Sequence, residues 1–109
     1  MALLDEPKLA VSSANGAYTN ACCGTIVLRN GDLTLADRQD VRYEVEQDKT
    51  GPYVLPVAFV GVLDGNGFQV DNGRQPLKLR LDRTPNPTRI ELTDLRRSYV
   101  FERQPPDVR

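Results

Sequence analysis

The sequence predicts an all-β fold, either a small antiparallel barrel or a two-layer sandwich of about eight short strands in meander order. Several stretches alternate apolar and polar residues, which is the pattern of a half-buried strand. Turn sequences that contain glycine separate these stretches. The stretch from Tyr53 to Leu63 contains no charge and is expected to be the longest and most buried strand. No stretch has the apolar repeat of a convincing helix.

The length of 109 residues suits one hydrophobic core and is too short for two. We expect a flexible N-terminal arm over residues 1–15, a single β domain over 16–103 and a C-terminal tail over 104–109. Residues 16–20 open the ordered part. The strands are then expected over 25–29, 32–35, 41–46, 53–63, 68–71, 77–82, 89–93 and 98–102.

Turn residues fix several of these boundaries. Asn30-Gly31 lies between two apolar stretches and predicts a tight hairpin, because both residues of such a turn adopt positive φ. Asp64 to Gly67 predicts a second hairpin, since it lacks the acidic ligands that a calcium loop would need. Pro56 marks an edge, a bulge or a break in pairing, because proline cannot donate to a sheet ladder.

The predicted inward side chains are almost all large, so we expect a packed interior and not a ligand cavity of the lipocalin kind. A small-ligand-binding barrel remains an alternative. The inward set is Ile26, Leu28, Leu33, Leu35, Val41, Tyr43, Val45, Phe59, Phe68, Val70, Leu77, Leu79, Leu81, Ile90, Leu92, Tyr99 and Phe101.

Charge is nearly balanced over the chain, with a net of −1, but it is unevenly distributed. Residues 1–73 are net acidic and residues 74–109 are net basic. Two interpretations follow: opposite charges pair across the sheet, or the second part carries a basic binding face. On the predicted outer faces, Glu44, Glu46, Asp82 and Glu91 alternate with basic residues and are expected to be solvated.

The residue types limit the available chemistry. The chain has no histidine, so the usual general base at neutral pH and the commonest metal ligand are missing. No metal-ligand spacing or cofactor motif is present, and we expect neither a metal nor a cofactor. A hydrolase that uses a pair of carboxylates without histidine is a further alternative.

Cys22 and Cys23 are the only thiols. On an extended strand, neighbouring side chains point to opposite faces, so we predict two free thiols, one shielded and one accessible. A vicinal disulfide, an intermolecular bridge and a lipidated cysteine are the alternatives. Nucleophilic chemistry at either thiol would need a base that the sequence does not supply.

The best candidate surface for a partner is a group of arginines that suits carboxylate or phosphate. Tyr99 is expected to add a stacking face beside it. The group is centred on the adjacent pair Arg96 and Arg97, where we expect the partner to bind, and Arg83, Arg89 and Arg103 are additions to it. The aromatic residues are few and are assigned to the core, which argues against nucleic acid.

These features predict a soluble, non-catalytic interaction module that binds a protein or envelope partner through a strand edge or the basic loop surface. The chain as given shows no integral membrane span and no secretory leader. If a leader or an anchor precedes this sequence in the native protein, we expect an extracytoplasmic location, either periplasmic or secreted.

Overall fold

A computed structural model describes residues 8–35, 40–62, 67–94 and 97–105. One 3-10 turn, Val11–Ala14, accompanies eleven strands. The strands are β1 (Lys8–Leu9), β2 (Gly16–Asn20), β3 (Gly24–Arg29), β4 (Asp32–Leu35), β5 (Asp40–Asp48), β6 (Gly51–Pro56), β7 (Phe59–Val62), β8 (Phe68–Asp71), β9 (Leu79–Leu81), β10 (Arg89–Asp94) and β11 (Arg97–Arg103).

Eight of these strands close into an antiparallel barrel, which confirms the predicted all-β class. Around the barrel the order is β5, β4, β3, β2, β11, β10, β9 and β6, and β6 pairs again with β5. Most neighbours in space are also neighbours in the chain, as expected for meander connections. The short strand β1 adds to the far part of β5, and β7 pairs with β8 in a separate hairpin.

The core follows the predicted alternation closely. On β5, Val41, Tyr43 and Val45 are buried, whereas Arg42 and Glu44 are exposed. Val70, Leu77 and Tyr99 are only partly buried and pack against the outside of the core. The barrel also recruits β2, which the sequence pattern does not mark as a strand, and its Tyr18 is fully buried.

The Asn30-Gly31 hairpin forms as predicted and sets the register of β3 and β4. Asn30 has φ 49° and Gly31 has φ 98°, as a tight hairpin turn requires. Arg29 therefore lies opposite Asp32, and Leu28 opposite Leu33. Both leucines point into the core.

The stretch from Tyr53 to Leu63 is not one strand, which corrects the sequence-based prediction. β6 ends at Pro56, and β7 begins at Phe59 in a different sheet. The strand ends where a break was expected, but the missing N–H of Pro56 is not the cause on the β5 side, because the Val57 N–H still donates to the Arg42 carbonyl at 2.9 Å. The longest strand is instead β5, with nine residues, and Leu63 lies outside the described residues.

Each end of the barrel is covered by a segment of the chain. We call one the hairpin end, because the β7–β8 hairpin follows the end of β6 there and buries Val60 and Phe68 in the core. The opposite end carries the 3-10 turn, which contributes fully buried Ala14. The Tyr18 hydroxyl donates to the Ala14 carbonyl at 2.7 Å, and the Tyr43 hydroxyl to the Val11 carbonyl at 3.2 Å. Residues 8–14, assigned to a flexible arm from the sequence, thus belong to the folded domain, and residues 1–7 lie outside the described part.

Candidate functional site

The β10–β11 hairpin divides the predicted arginine cluster between the two ends of the barrel. Arg89 lies opposite Glu102, and Asp94 lies opposite Arg97, with the six-residue length of β10 between them. At about 3.4 Å per residue this length separates Arg89 from Arg97 by about 17 Å. Arg97 therefore belongs to the hairpin end, and Arg96 lies outside the described residues.

Tyr99, which the sequence suggested as a surface stacking face, is partly buried in the structure. It lies opposite Leu92, a fully buried residue, and packs partly buried against the hydrophobic core. The alternation of β11 places Tyr99 on the same side as Phe101, which is also fully buried. Its aromatic surface is thus used in packing.

Arg83, Arg89 and Arg103 gather at the end opposite the hairpin, which we call the basic end. It is built on the loop 82–88 between β9 and β10. Arg83 Nε donates to the Asn86 carbonyl at 3.2 Å, and Arg103 Nη1 donates to the next carbonyl, that of Pro87, at 3.2 Å. Two guanidinium groups therefore bind successive carbonyls of one loop, and Arg89 follows directly where β10 begins.

Asp82 holds this loop in place. One of its carboxylate oxygens accepts a hydrogen bond from the backbone N–H of Thr88 at 2.7 Å, and the other accepts one from the Thr88 hydroxyl at 2.5 Å. The backbone N–H of Arg89 adds a longer bond of 3.3 Å. Asp82 is exposed, and partial desolvation of its carboxylate acts to raise the pKa, but the hydrogen bonds from Thr88 and Arg89 outweigh this effect and keep the pKa below its ordinary value. The carboxylate is thus charged at neutral pH and fixes the backbone that presents the arginines.

Arg103 ends the inner face of β11 and lies opposite Tyr18. A Cβ added to Gly16 would lie 3.1 Å from Arg103 Nε and 3.2 Å from the Tyr18 hydroxyl, so these three residues are in close contact. Burial raises the pKa of Tyr18 to about 12, although the positive charge of Arg103 acts to lower it. Tyr18 therefore stays protonated and provides no negative charge to Arg103.

Elsewhere in the described residues, several cations are neutralised by carboxylates. Lys8 pairs with Glu44 at 2.9 Å, and Arg42 with Asp32 at 2.9 Å. By contrast, the structure gives Arg83, Arg89 and Arg103 no ion pair with any described carboxylate. Arg29, Lys49 and Arg74 also have no ion pair with a described carboxylate. What sets Arg83, Arg89 and Arg103 apart is that they lie together around one loop, which charge counts along the chain do not reveal.

The most densely bonded polar cluster surrounds Asp48, at the turn between β5 and β6. Each of its two carboxylate oxygens accepts a hydrogen bond from a guanidinium nitrogen of Arg80 at 2.7 Å. Lys78 Nζ lies 3.0 Å from one of these oxygens. Both cations also lie over the ring of Tyr53, which is fully buried on the outer face of the barrel. Because every charge here has a partner, the cluster is a structural clamp, and it shows the predicted pairing between the acidic and basic parts of the chain.

Replacing Asp48 by asparagine is expected to destabilise the fold at neutral pH and to have a diminishing effect in acid. Hydrogen bonds from Arg80 hold the pKa of Asp48 far below its ordinary value. Desolvation acts against this shift, and hydrogen bonds from Lys78 and the Thr50 N–H add to it. A carboxylate with a depressed folded-state pKa stabilises the fold above its unfolded pKa, and this contribution is lost as the pH falls below about 4. Urea unfolding of both proteins from neutral to acidic pH measures the difference, and a difference that stays constant over this range would contradict the clamp.

The cysteines are joined to each other, so the prediction of two free thiols is wrong. The structure has a Cys22–Cys23 disulfide, which was one of the alternatives. Opposite-face geometry does not apply because residues 21–23 form the turn between β2 and β3 and are not extended. One part of the prediction is confirmed, since Cys23 is 5% exposed and Cys22 is exposed.

An open strand edge is the other surface that the sequence proposed for a partner. A shallow cleft of about 430 Å³ lies beside the end of β6 and is lined by Glu44, Leu55, Pro56, Val57, Gln75 and Pro76. Val57 is 67% exposed there. Glu44 is engaged by Lys8, and the remaining walls offer no group that would select a partner chemically.

The described side chains contain little that favours acid–base chemistry. The carboxyl pKa values that depart clearly from normal, those of Glu44, Asp48 and Asp82, all move downward. Among the described residues no group of three or more metal-ligating side chains has the arrangement of a metal site. No helix in the described ranges has the length and apolarity needed to cross a bilayer.

Comparison of the chain with protein-family models, with curated proteins and with solved structures finds no match.

Proposed function

We propose that this protein is a non-catalytic interaction module whose basic end binds an acidic segment of a protein partner. The observation that carries the proposal is the presence of three arginines around one loop without a carboxylate partner in the described structure. Arginine is well suited to this role, because its planar fork binds carboxylates through two parallel hydrogen bonds.

The rigidity of the loop supports the same proposal. Asp82 and the carbonyls of Asn86 and Pro87 fix the backbone and two of the guanidinium groups before any partner arrives. A surface that is already ordered loses less conformational entropy when it binds. Since the whole chain is close to neutral, attraction of an acidic partner must come from a local group of charges such as this one.

The described interior gives less support to the alternatives. Large side chains such as Tyr18, Phe101 and Ile26 are fully buried in it, and the two barrel ends are covered by the 3-10 turn and the β7–β8 hairpin. Eight strands enclose a space that side chains of this size can fill. A carboxylate-pair hydrolase would need one carboxyl group with a raised pKa, and the clear shifts observed are downward.

The proposal is tested by reversing charge at the basic end. Arg83→Glu combined with Arg89→Glu should weaken binding of a fluorescein-labelled peptide rich in Asp and Glu about tenfold or more, because two attractions become repulsions. Fluorescence anisotropy at low salt measures the affinity, and added salt should reproduce the loss in the parent protein. The same peptide with Asn and Gln in place of its acids should bind to neither protein.

The matched control carries the same change in charge at the hairpin end of the barrel. Arg74→Glu combined with Arg97→Glu, two exposed arginines at the hairpin end, should weaken peptide binding by less than about twofold, because screening reduces interactions over distances beyond about 10 Å. Circular dichroism and thermal melting establish that both variants keep the fold. If the control variant loses as much affinity as the first, or if neither loses any, the basic end is not the binding surface.

A further inference from the structure

Arg103 differs from the other two arginines of the basic end in its depth. It is half-buried, and only Nη1 has an acceptor among the described residues, the Pro87 carbonyl at 3.2 Å. A guanidinium group has five N–H donors in a fixed fork. No fully buried side-chain nitrogen among the described residues lacks a hydrogen-bond partner, so the remaining Arg103 donors are open to solvent. They are therefore accessible to an anion, which they would bind through charge-assisted hydrogen bonds.

A cleft of about 440 Å³ adjoins this guanidinium group. Its lining residues are Asn86, Thr88, Arg103, Gln104 and Pro105. Thr88 already donates its hydroxyl to Asp82, and the Gln104 side-chain amide donates to the Glu102 carbonyl at 3.1 Å. The Asn86 side chain has no hydrogen-bond partner in the described structure. The cleft therefore offers the Arg103 donors other than the one bonded to Pro87, and one amide, as polar groups without a described partner, beside the apolar ring of Pro105.

The charges around the cleft select the kind of anion. Arg83, Arg89 and Arg103 are positive, and Asp82 and Glu102, which adjoin the same loop and strand end, are negative. One net positive charge remains, which matches a monoanion better than a dianion. The flat fork of arginine also fits the plane of a carboxylate.

We propose that the Arg103 cleft binds a single carboxylate of the partner, from either an Asp or Glu side chain or a chain terminus. This inference rests on the proposed function and adds to it a defined point of attachment. The carboxylate would lie in plane with the free edge of the Arg103 guanidinium group, and the Asn86 amide would donate to it or to the adjoining peptide group. Arg83 and Arg89 would then act on the surrounding acidic residues.

Exchange of arginine for lysine tests the fork, because it keeps the charge and removes the paired donors. Arg103→Lys should weaken binding of the Asp- and Glu-rich peptide about tenfold, the loss expected for one charge-assisted hydrogen bond. Arg97→Lys is the matched control, and it should change the affinity by less than about twofold because that exposed side chain lies at the hairpin end, away from the cleft.

Nuclear magnetic resonance of the unmodified protein provides a test that does not depend on a variant. The Nε–Hε signal of Arg103 should shift on addition of acetate, and more strongly than on addition of inorganic phosphate at the same ionic strength. A stronger response to phosphate, or no response to acetate, would overturn the assignment to carboxylates. Amidation of the peptide's C-terminus distinguishes the sources, since it abolishes the shift only if the terminal carboxylate is the one bound.

The two proposals fail in different ways. If Arg103→Lys binds the peptide as well as the parent does, while the Arg83→Glu and Arg89→Glu variant is weakened, the cleft inference is wrong and the interaction module stands. If the charge-reversal variant also binds normally, the proposed function fails with it.

Discussion

Replacing Phe101 by alanine is expected to lower the free energy of unfolding by about 4 kcal/mol, the largest effect of any substitution considered for this protein. Phe101 is fully buried on the inner face of β11. Its ring centroid lies 5.7 Å from that of Phe68, with an angle of 32° between the ring planes. Truncation would remove contacts inside the barrel and also the contact that attaches the β7–β8 hairpin to the wall.

Urea denaturation followed by circular dichroism measures this loss. The matched control is Val100→Ala, one residue earlier on the same strand but on its outer face, where the side chain is 38% exposed. Its effect should stay within about 1 kcal/mol. A loss below about 1 kcal/mol for Phe101→Ala would mean that the hairpin does not pack into the barrel as described.

The second large effect is expected at Gly61, where a single methyl group has no room. A Cβ at this position would lie 2.7 Å and 2.8 Å from two carbon atoms of the Phe59 ring. That ring cannot move aside freely, because it is buried and the Arg74 guanidinium lies 3.8 Å above its centroid. We therefore expect Gly61→Ala to lower the free energy of unfolding by about 2 kcal/mol, as overpacking does in well-packed interiors.

Gly73→Ala is the matched control for this substitution, just beyond the same hairpin. Gly73 is exposed, its φ is not positive, and the nearest atom to an added Cβ would be the Asp71 carboxylate at 3.3 Å. The added methyl group should change stability by less than about 1 kcal/mol. Equal losses at the two positions would show that the backbone, and not the Phe59 ring, opposes the methyl group at Gly61.

Local patterns were sufficient to predict the class of the fold. Period-two alternation placed Val41, Tyr43 and Val45 inward because one face of each strand is buried and the other is solvated. The Asn30-Gly31 dipeptide predicted its hairpin because few other residues adopt positive φ at both turn positions. These features depend on neighbours in the chain, so they can be recognised without the structure.

Features that depend on distant contacts were not predictable in the same way. Tyr53 is buried outside the core cluster because Lys78 and Arg80 of another part of the chain cover its ring. β2 has little alternation of its own and becomes a strand by pairing with β3 and β11. Proline at position 56 indicated a break, but the apolar run on both sides of it gave no sign that the two halves enter different sheets.

The candidate site shows most clearly that contacts between distant parts of the chain are not predictable from local sequence patterns. Arg96 and Arg97 attracted attention because they are adjacent in sequence, yet the register of β10 and β11 places Arg97 and Arg89 at opposite ends of a hairpin. Arg103 came into the sequence-based cluster only as an addition. Its importance depends on its depth, on the cleft beside it and on the lack of a carboxylate partner, and these are properties of the folded chain.

The most direct test of the central claim is to map where an acidic peptide contacts the protein. Titration of the isotope-labelled protein with the Asp- and Glu-rich peptide, followed by backbone amide resonances, should produce its largest shifts in residues 82–89 and 103–105. Amides at the hairpin end, such as those of Gly61, Asp94 and Arg97, should change little. Largest shifts at the hairpin end, or along the exposed edge near Val57, would contradict the assignment of binding to the basic end.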